Sequence, residues 1–312
     1  MLNLPSPADR PTLYFIGVTT TQSSIMKVFP VWAEALGLKD ACIKGIDIGI
    51  HAPDEDYRQV VQFIKDDPLS YGALVTTHKI DLYHAARDLF EYLDPYALMF
   101  SELSSISKRD GKLCGHAKDP ISSGLSLDAF IPADHWQKTG AEVVVLGAGG
   151  SALAISAYLA LEKFGDNTPS RIHLTNRSAP RLAEAIRILQ NLRVPMSYHL
   201  CPTPEWNDKI VSQVKPGSLI INATGLGKDR PGSPLTENLV FPEEGLVWEL
   251  NYRGSLEFMH QAEKQQKDRH LLIEDGWVYF IHGWTQVIAE VFHIDITGEV
   301  FAACNRLAMA MR

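Results

Sequence analysis

Hydrophobic residues in the first part of the chain occur in two alternating patterns. Short runs rich in β-branched and aromatic residues predict strands at residues 12–18, 41–50 and 72–76. Between them, apolar side chains recur at helical spacing, which predicts helices at residues 26–38 and 54–65. Further along, residues 104–107 and 112–114 flank Asp110-Gly111, a dipeptide typical of a hairpin turn. Strands that alternate with helices predict a largely parallel sheet covered by helices.

A second block, with a clearer pattern, begins near Pro120. Residues 142–146 (EVVVL) are a nearly continuous β-branched run, as expected of a central parallel strand. Further strands are predicted at 171–175 and 219–222, and helices at 152–164 and 181–192. The chain shows neither an internal repeat of fixed period nor a low-complexity segment, so we expect all of it to fold.

Composition narrows the class of protein. The 312 residues are 46% hydrophobic and 21% charged, the balance of a soluble globular protein. Its 29 basic and 37 acidic residues give a net charge of −8, which argues against nucleic-acid and membrane partners. Four scattered cysteines without a Cys-x-x-Cys pair predict no metal site. Because a secretory signal and a transmembrane run are also missing, we expect a cytoplasmic enzyme, either a monomer or a homodimer.

A glycine-rich loop follows the strand at 142–146. Gly-x-Gly-x-x-Gly/Ala between a strand and a helix is typical of dinucleotide binding. The first glycine allows the tight turn, the second lets the backbone approach the pyrophosphate, and the third position must be small for packing. Backbone N–H groups at the helix N-terminus face the phosphates. The candidate cofactor-binding residues here are Gly147, Ala148, Gly149, Gly150, Ser151 and Ala152.

The end of the next strand bears on the choice of cofactor. NAD-selective folds place a carboxylate there, whereas this chain has Asn176-Arg177-Ser178 followed by Arg181. Two guanidinium groups can pair with a 2′-phosphate, so the sequence favours NADP over NAD. The alternative is that both arginines only cap or solvate the following helix. Small residues at the end of a later strand would also allow close approach to the cofactor, namely Ala223, Thr224 and Gly225.

Taken together, these motifs resemble the shikimate/quinate dehydrogenase family. The glycine loop and Asn176-Arg177-Ser178-x-x-Arg181 are similar to that family's NADP-binding segments. Asn222-Ala-Thr and Glu249-Leu250-Asn251-Tyr252 resemble its Asn-Ala-Thr and Asp-x-x-Tyr segments. Residues 75–79 (VTTHK) resemble Val-Thr-x-Pro-x-Lys, and residues 110–119 resemble Asp-Gly-x-Leu-x-Gly-x-Asn-Thr-Asp. The matches follow the family's order along nearly the whole chain.

The resemblance implies an NADP-dependent dehydrogenase of aromatic amino acid biosynthesis, acting on shikimate or a related hydroxylated cyclic acid. Lys79 and Asp119 would form the catalytic pair, because a lysine can move the hydroxyl proton while a carboxylate orients it. The alternatives are a solvated lysine and a helix N-cap before Pro120. The resemblance also implies cofactor contacts at Leu250 and Gly276. The implied substrate-binding residues are Ser23, Thr76, Thr77, Ser104, Lys118 and Tyr252.

Several substrate-pocket positions depart from the family. Ile25 stands where the family has the second serine of Ser-x-Ser, Leu74 replaces an asparagine, and the proline before the lysine is missing. Ser104 replaces an amide, and Lys118 replaces the threonine before the catalytic aspartate, so we expect a substrate anion near Lys118. The family's C-terminal glutamine matches either Gln286 or His282. The substrate therefore stays open: a different small hydroxy compound, or a non-catalytic nucleotide-binding regulatory role, are the alternatives.

We expect a fold of the α/β class with two domains. A substrate-binding and catalytic α/β domain covers residues 1–119, and a Rossmann-like NADP domain covers residues 120–255. Helices at 256–312 are expected to return to the substrate domain. The active site is expected in the cleft between the two domains, where small-molecule sites commonly lie.

Overall fold

The structure, a computed structural model, describes residues 2–228 and 230–312. The chain forms two compact units. The first combines the residues through Lys118 with Gly283–Arg312, and the second is Asp119–His282. Within the described residues no helix is both long and apolar enough to cross a bilayer.

The first unit is built on a mixed six-stranded sheet. Its strands are β1 (Thr12–Gly17), β2 (Cys42–Asp47), β3 (Ser70–Val75), β4 (Tyr92–Leu93), β5 (Ser105–Arg109) and β6 (Lys112–His116). They lie in the order β2-β1-β3-β5-β6-β4. The pairs β1–β2, β1–β3 and β4–β6 are parallel, whereas β3–β5 and β5–β6 are antiparallel. The hairpin predicted at Asp110-Gly111 is present between β5 and β6.

Helices cover this sheet. They are α1 (Ile25–Ala35), α2 (Asp54–Asp66), α3 (Lys79–Ala86) and α4 (Pro95–Phe100). Helix α2 shows why the pattern forms a helix. Three acidic residues in its first turn lie near the positive end of the helix dipole, and its buried residues Tyr57, Val60, Val61 and Ile64 share one face.

The second unit is a parallel six-stranded sheet of the Rossmann type. Its strands are β7 (Val143–Leu146), β8 (Ile172–Asn176), β9 (Met196–Leu200), β10 (Leu219–Asn222), β11 (Leu246–Glu249) and β12 (Leu272–Glu274). The order β12-β11-β10-β7-β8-β9 reverses direction between β7 and β10. In such sheets ligands bind beyond the carboxyl ends of the strands at this switch point. Strand β7 is wholly buried, as its β-branched composition predicts.

Eight helices of this part of the chain, within the residues described, follow or separate the strands. They are α5 (Asp119–Phe130), α6 (His135–Thr139), α7 (Gly150–Leu159), α8 (Ala179–Leu189), α9 (Pro204–Val211), α10 (Glu257–Glu263), α11 (Gln266–Arg269) and α12 (Trp277–Phe292). Helix α12 begins in the second unit and ends in the first, where α13 (Gly298–Met309) follows. The α/β fold class expected from the sequence is confirmed.

The last boundary lies later in the chain than the sequence analysis placed it. Residues 256–282, expected to belong with the C-terminal helices, are part of the second unit. The reason is that β12 extends the second sheet by pairing in parallel with β11, and α10 packs against β11. The three residues of β12 are too short a run to be recognised from sequence. The chain enters the first unit at Gly283.

Candidate active site

The turn after β7 lies at the switch point of the second sheet. Gly147 has φ +118°, and a Cβ there would lie 2.7 Å from the carbonyl oxygen of Ala223, which follows β10. Only glycine fits both the backbone angle and the space. The Gly147 N–H also donates to the Thr175 carbonyl at the end of β8 (2.9 Å). The turn is therefore fixed against both neighbouring strands.

Helix α7 starts at the same turn. Gly149 is its N-cap, and a Cβ built there meets no atom within 4 Å, so the backbone at this position is accessible. Ala152 is fully buried, as the small third position of the motif requires. The Ser151 hydroxyl accepts a hydrogen bond from the Tyr279 hydroxyl (3.3 Å). The first N–H groups of a helix have no intrahelical partner, so this helix start suits a pyrophosphate.

The segment after β8 presents two exposed arginines. The Ser178 N–H donates to Asn176 Oδ1 (2.8 Å), which forms an Asx turn that leads into α8. Arg177 and Arg181 are exposed, and neither forms an ion pair within residues 2–228 and 230–312. The region just after β8 therefore offers two guanidinium groups to an anion, with no carboxylate in this segment to oppose it.

A buried polar network lies at the ends of β10 and β11, on the side of the switch point opposite β8. Asn222 at the end of β10 accepts hydrogen bonds from the backbone N–H and the hydroxyl of Thr224, and it donates to Glu249 Oε2 (2.8 Å). Glu249 Oε1 accepts from the Asn251 N–H (2.9 Å). Glu249 is completely buried, and this burial raises the pKa of its carboxyl from 4.5 to about 7 despite the hydrogen bonds that favour the charged form. The network fixes the backbone of the 223–225 segment.

The residues after β11 are held against the start of α12. A Cβ at Gly276 would collide with the Leu250 carbonyl oxygen, so this crossing needs glycine. The Gly276 N–H donates to the Asn251 carbonyl (3.1 Å). The ring of Tyr252 packs on Phe280 (4.5 Å between centroids) and more distantly on Trp277. The second unit thus places the cofactor candidates of the sequence analysis along one edge of its sheet, together with Tyr252.

In the first unit, Thr76 and Lys79 follow β3. The backbone N–H of Thr76 donates to the Ile16 carbonyl of β1 (3.1 Å), and Thr77 is exposed. Lys79 is the first residue of α3 and is half-buried. Between them His78 is buried and lies 3.2 Å from the Tyr57 hydroxyl, and burial lowers the pKa of its imidazole. Ser23, half-buried, lies beyond β1 at the end of a 3₁₀ turn.

Ser104 and Lys118 contact each other directly. The buried Ser104 hydroxyl accepts the Lys118 N–H (2.7 Å). The Lys118 ammonium donates to Glu290 Oε2 of α12 (2.7 Å). The chain therefore supplies the negative partner that the sequence analysis expected from a substrate, so Lys118 does not require a substrate anion. Glu290 is a residue that sequence reasoning missed, since nothing in its sequence neighbourhood marks it as functional.

The remaining candidates are Asp119, His282 and Gln286. Asp119 is the first residue of α5, followed by Pro120 in the first turn. His282 is buried, and burial lowers the pKa of its imidazole to about 4, so the ring is neutral at physiological pH. Gln286 is half-buried one turn later. Within the part of the chain that the structure describes, no group of three or more His, Cys, Asp or Glu side chains is placed to bind a metal ion.

Comparison with known proteins gives a consistent picture. No family model matches the chain. The curated shikimate dehydrogenase (NADP(+)) of Streptococcus thermophilus is 24% identical over 74% of this chain and 76% of its own length. A crystal structure of shikimate 5-dehydrogenase from Listeria monocytogenes, in complex with shikimate and NAD, has a TM-score of 0.76 at 16% identity and covers 99% of both chains. Ligand-free 5-ketofructose reductase of Gluconobacter sp. has a TM-score of 0.70 at 19% identity and covers 98% of this chain and 100% of its own.

These likenesses differ in what they establish. The solved structures share the fold of the whole chain, including proteins named for different substrates. The curated relatives share sequence over most of it, and 33 of them match significantly. The ordered motifs at the glycine turn, at β10 and at β11 resemble those of the shikimate/quinate dehydrogenase family, and the chain is 24% and 26% identical to two curated relatives named shikimate dehydrogenase (NADP(+)).

Proposed function

We propose that the protein is an NADP-dependent dehydrogenase that acts on shikimate or a related hydroxylated cyclic acid. The observation that carries the proposal is the turn at the switch point, where Gly147 packs against the β10 end and Gly149 leaves the start of α7 accessible. Arg177 and Arg181, exposed and without ion pairs among the described residues, support a cofactor with a 2′-phosphate. The curated relatives named as NADP(+) enzymes support the same choice.

Catalysis in this proposal divides between two side chains. The turn after β7 and the arginines after β8 would hold NADP, which would supply the hydride acceptor for the carbon that carries the substrate hydroxyl. Lys79 accepts the hydroxyl proton in the oxidation and returns it in the reduction. The second side chain assigned to catalysis is Asp119, because a carboxylate can orient a proton-transfer group.

The second candidate is a dehydrogenase of a different small hydroxy compound. The observation that favours it is the Lys118–Glu290 ion pair, which stands where the family motif has a threonine hydroxyl. A site built around a hydroxyl rejects analogues that leave its buried polar groups unpaired, so a changed pocket changes the preferred substrate. The similarity in fold to a reductase named for 5-ketofructose is compatible with this alternative.

The proposal extends to partners and location. Its partner is a small-molecule substrate, and its cellular location is the cytoplasm, with the protein a monomer or a homodimer. The net charge of −8 argues against nucleic-acid partners.

The test is NADP reduction, followed at the nicotinamide absorbance, over a panel of cyclic hydroxy acids and sugar-derived hydroxy compounds. Lys79→Ala should lower kcat by about 10²-fold or more on the best substrate, the loss typical of a positioned proton-transfer group. Asp119→Asn should also lower kcat while the fold is retained. The exposed Lys27 of α1 offers a matched control, since Lys27→Ala removes a lysine from the same unit. Nearly normal turnover in Lys79→Ala would show that another residue moves the proton.

A further inference from the structure

Helix α12 places a tyrosine hydroxyl against the first turn of α7. The Tyr279 O–H donates to Ser151 Oγ at 3.3 Å, and both residues belong to the second unit. Ser151 is the second residue of α7, two positions after the N-cap Gly149, and both residues of the pair are half-buried. The phenol hydroxyl thus lies at the start of the helix that follows the glycine turn.

The Tyr279 ring is held by the rest of the second unit. It packs edge-on against the indole of Trp248, with 5.7 Å between the ring centroids, and Trp248 is completely buried in β11. The backbone just before it is also fixed, because the Gly276 N–H donates to the Asn251 carbonyl (3.1 Å). The position of the phenol is therefore set by packing and backbone contacts rather than by its hydrogen bond to Ser151.

The Ser151 hydroxyl keeps its own hydrogen for another acceptor. A serine hydroxyl has one hydrogen to donate and two lone pairs that accept. One lone pair takes the Tyr279 hydrogen, and within residues 2–228 and 230–312 the Ser151 O–H donates to no acceptor. The first intrahelical bond of α7 runs from the Leu153 N–H to the Gly149 carbonyl (3.1 Å), so the N–H groups of residues 150–152 have no intrahelical acceptor. The Ser151 O–H thus adds a side-chain donor to a helix start that favours an anion.

We propose that Tyr279 is a positioning residue for the cofactor: by donating to Ser151 Oγ, it directs the Ser151 O–H at the pyrophosphate of NADP. This inference rests on the proposed binding of NADP at the turn after β7. Its physical basis is that a hydroxyl which accepts from a fixed donor has fewer orientations left, so less entropy is lost when a phosphate oxygen binds. A distance of 3.3 Å is longer than an ordinary O–H···O bond, so the contribution of Tyr279 should be smaller than that of Ser151 itself.

The experiment measures the affinities for NADP, NAD and adenosine 2′-phosphate by titration calorimetry in wild type, Tyr279→Phe, Ser151→Ala and the double variant. Ser151→Ala should weaken the affinities for NADP and NAD alike by about tenfold, because one hydrogen bond to a charged group is lost. Tyr279→Phe keeps the ring packing and should weaken both affinities by about threefold. The double variant should bind no more weakly than Ser151→Ala, because Tyr279 acts only through Ser151. Adenosine 2′-phosphate lacks the pyrophosphate, so its affinity should be the same in all four proteins.

A matched control and the unfolding free energy separate this inference from a purely structural contact. Tyr198→Phe removes a half-buried phenol hydroxyl from β9 of the same unit and should leave all three affinities unchanged. If the hydroxyl pair only ties α12 to α7, Tyr279→Phe lowers the unfolding free energy in urea without changing the affinity for NADP, and the inference is overturned. Additive losses in the double variant would overturn it as well, since Tyr279 would then act without Ser151. Wild type that binds neither NADP nor NAD would instead refute the proposed cofactor site, and this inference with it.

Discussion

Replacement of Glu249 by glutamine should remove a pH dependence from the stability of the second unit. The Glu249 carboxyl is fully buried at the end of β11 and accepts hydrogen bonds from Asn222 and Asn251. Burial raises its pKa from 4.5 to about 7, whereas the unfolded chain has the ordinary value. Between pH 4.5 and 7 the folded state therefore holds a proton that unfolding releases.

The sign and size of the effect follow from this difference. Below pH 4.5 both states are protonated, so the carboxyl adds nothing to the pH dependence. As pH rises from 4.5 to 7, stability falls, because the unfolded state gains the charged form more readily than the folded state. At about 1.4 kcal/mol for each pKa unit, the loss totals about 3 kcal/mol once the pH exceeds 7. Glutamine cannot ionise, so in Glu249→Gln any change in hydrogen bonding shifts the free energy of unfolding equally at every pH.

The assay is urea unfolding at pH values from 5 to 8, followed by tryptophan fluorescence, to which the buried Trp248 next to Glu249 contributes. The difference in unfolding free energy between wild type and Glu249→Gln should change by about 2–3 kcal/mol over this range. Glu274, another carboxyl whose pKa is raised by burial, is present in both proteins, so its effect cancels. Exposed Glu243 supplies the control, since Glu243→Gln should keep the wild-type slope. Parallel curves for wild type and Glu249→Gln would refute the reasoning.

Four further changes test the proposed cofactor turn and the packing beside it. Gly147→Ala should disrupt the turn and NADP binding, because both the φ angle and the available space exclude a Cβ. Gly149→Ala should leave the unfolding free energy nearly unchanged but weaken NADP binding in a fluorescence titration. Equal NADP affinity of wild type and Gly149→Ala would show that the phosphate binds elsewhere. Gly124→Ala in α5 should destabilise by about 1–3 kcal/mol in urea unfolding because its Cβ collides with the Tyr158 ring, and a more stable variant would contradict that contact. Arg177→Glu should weaken the affinity for NADP about tenfold more than the affinity for NAD in paired titrations, because one charge-assisted hydrogen bond to the 2′-phosphate is lost. Equal losses of the two affinities would refute the role of Arg177.

The parts of the fold that the sequence predicts are those set by local pattern. The run at β7 is β-branched because a central parallel strand is buried on both faces, and its burial in the structure confirms the interpretation. The need for glycine at 147 is also readable, since the turn motif specifies a tight backbone. A feature that depends on a few consecutive residues, each required for a steric reason, can be predicted from the sequence alone.

Features set by contacts between distant segments are not readable in this way. Glu290 lies 172 residues from Lys118 in the sequence, and the residues around each of them do not indicate an ion pair. The sequence around Lys118 therefore suggests an outside anion as its partner, although the structure shows that the partner is Glu290 of the same chain. Strand β12 was missed for a related reason: its three residues become a strand only because β11 offers a free edge beside them. Tertiary context, not propensity, decides such elements.

The two units thus differ in how far they follow the family pattern. At the glycine turn after β7 the steric requirements at Gly147 and Ala152 are the ones the motif predicts, because a tight turn and close packing of helix on strand leave little room for variation. In the first unit a hydroxyl of the family motif has become a lysine, and the cost of its buried charge is offset by Glu290. Because Lys118 and Glu290 carry opposite charges, the pair adds no net positive charge to its surroundings. Substrate discrimination should therefore depend on the hydrogen-bonding groups at Ser23, Thr76 and Ser104 rather than on an anion at Lys118, and the substrate panel should include neutral polyols beside the acids.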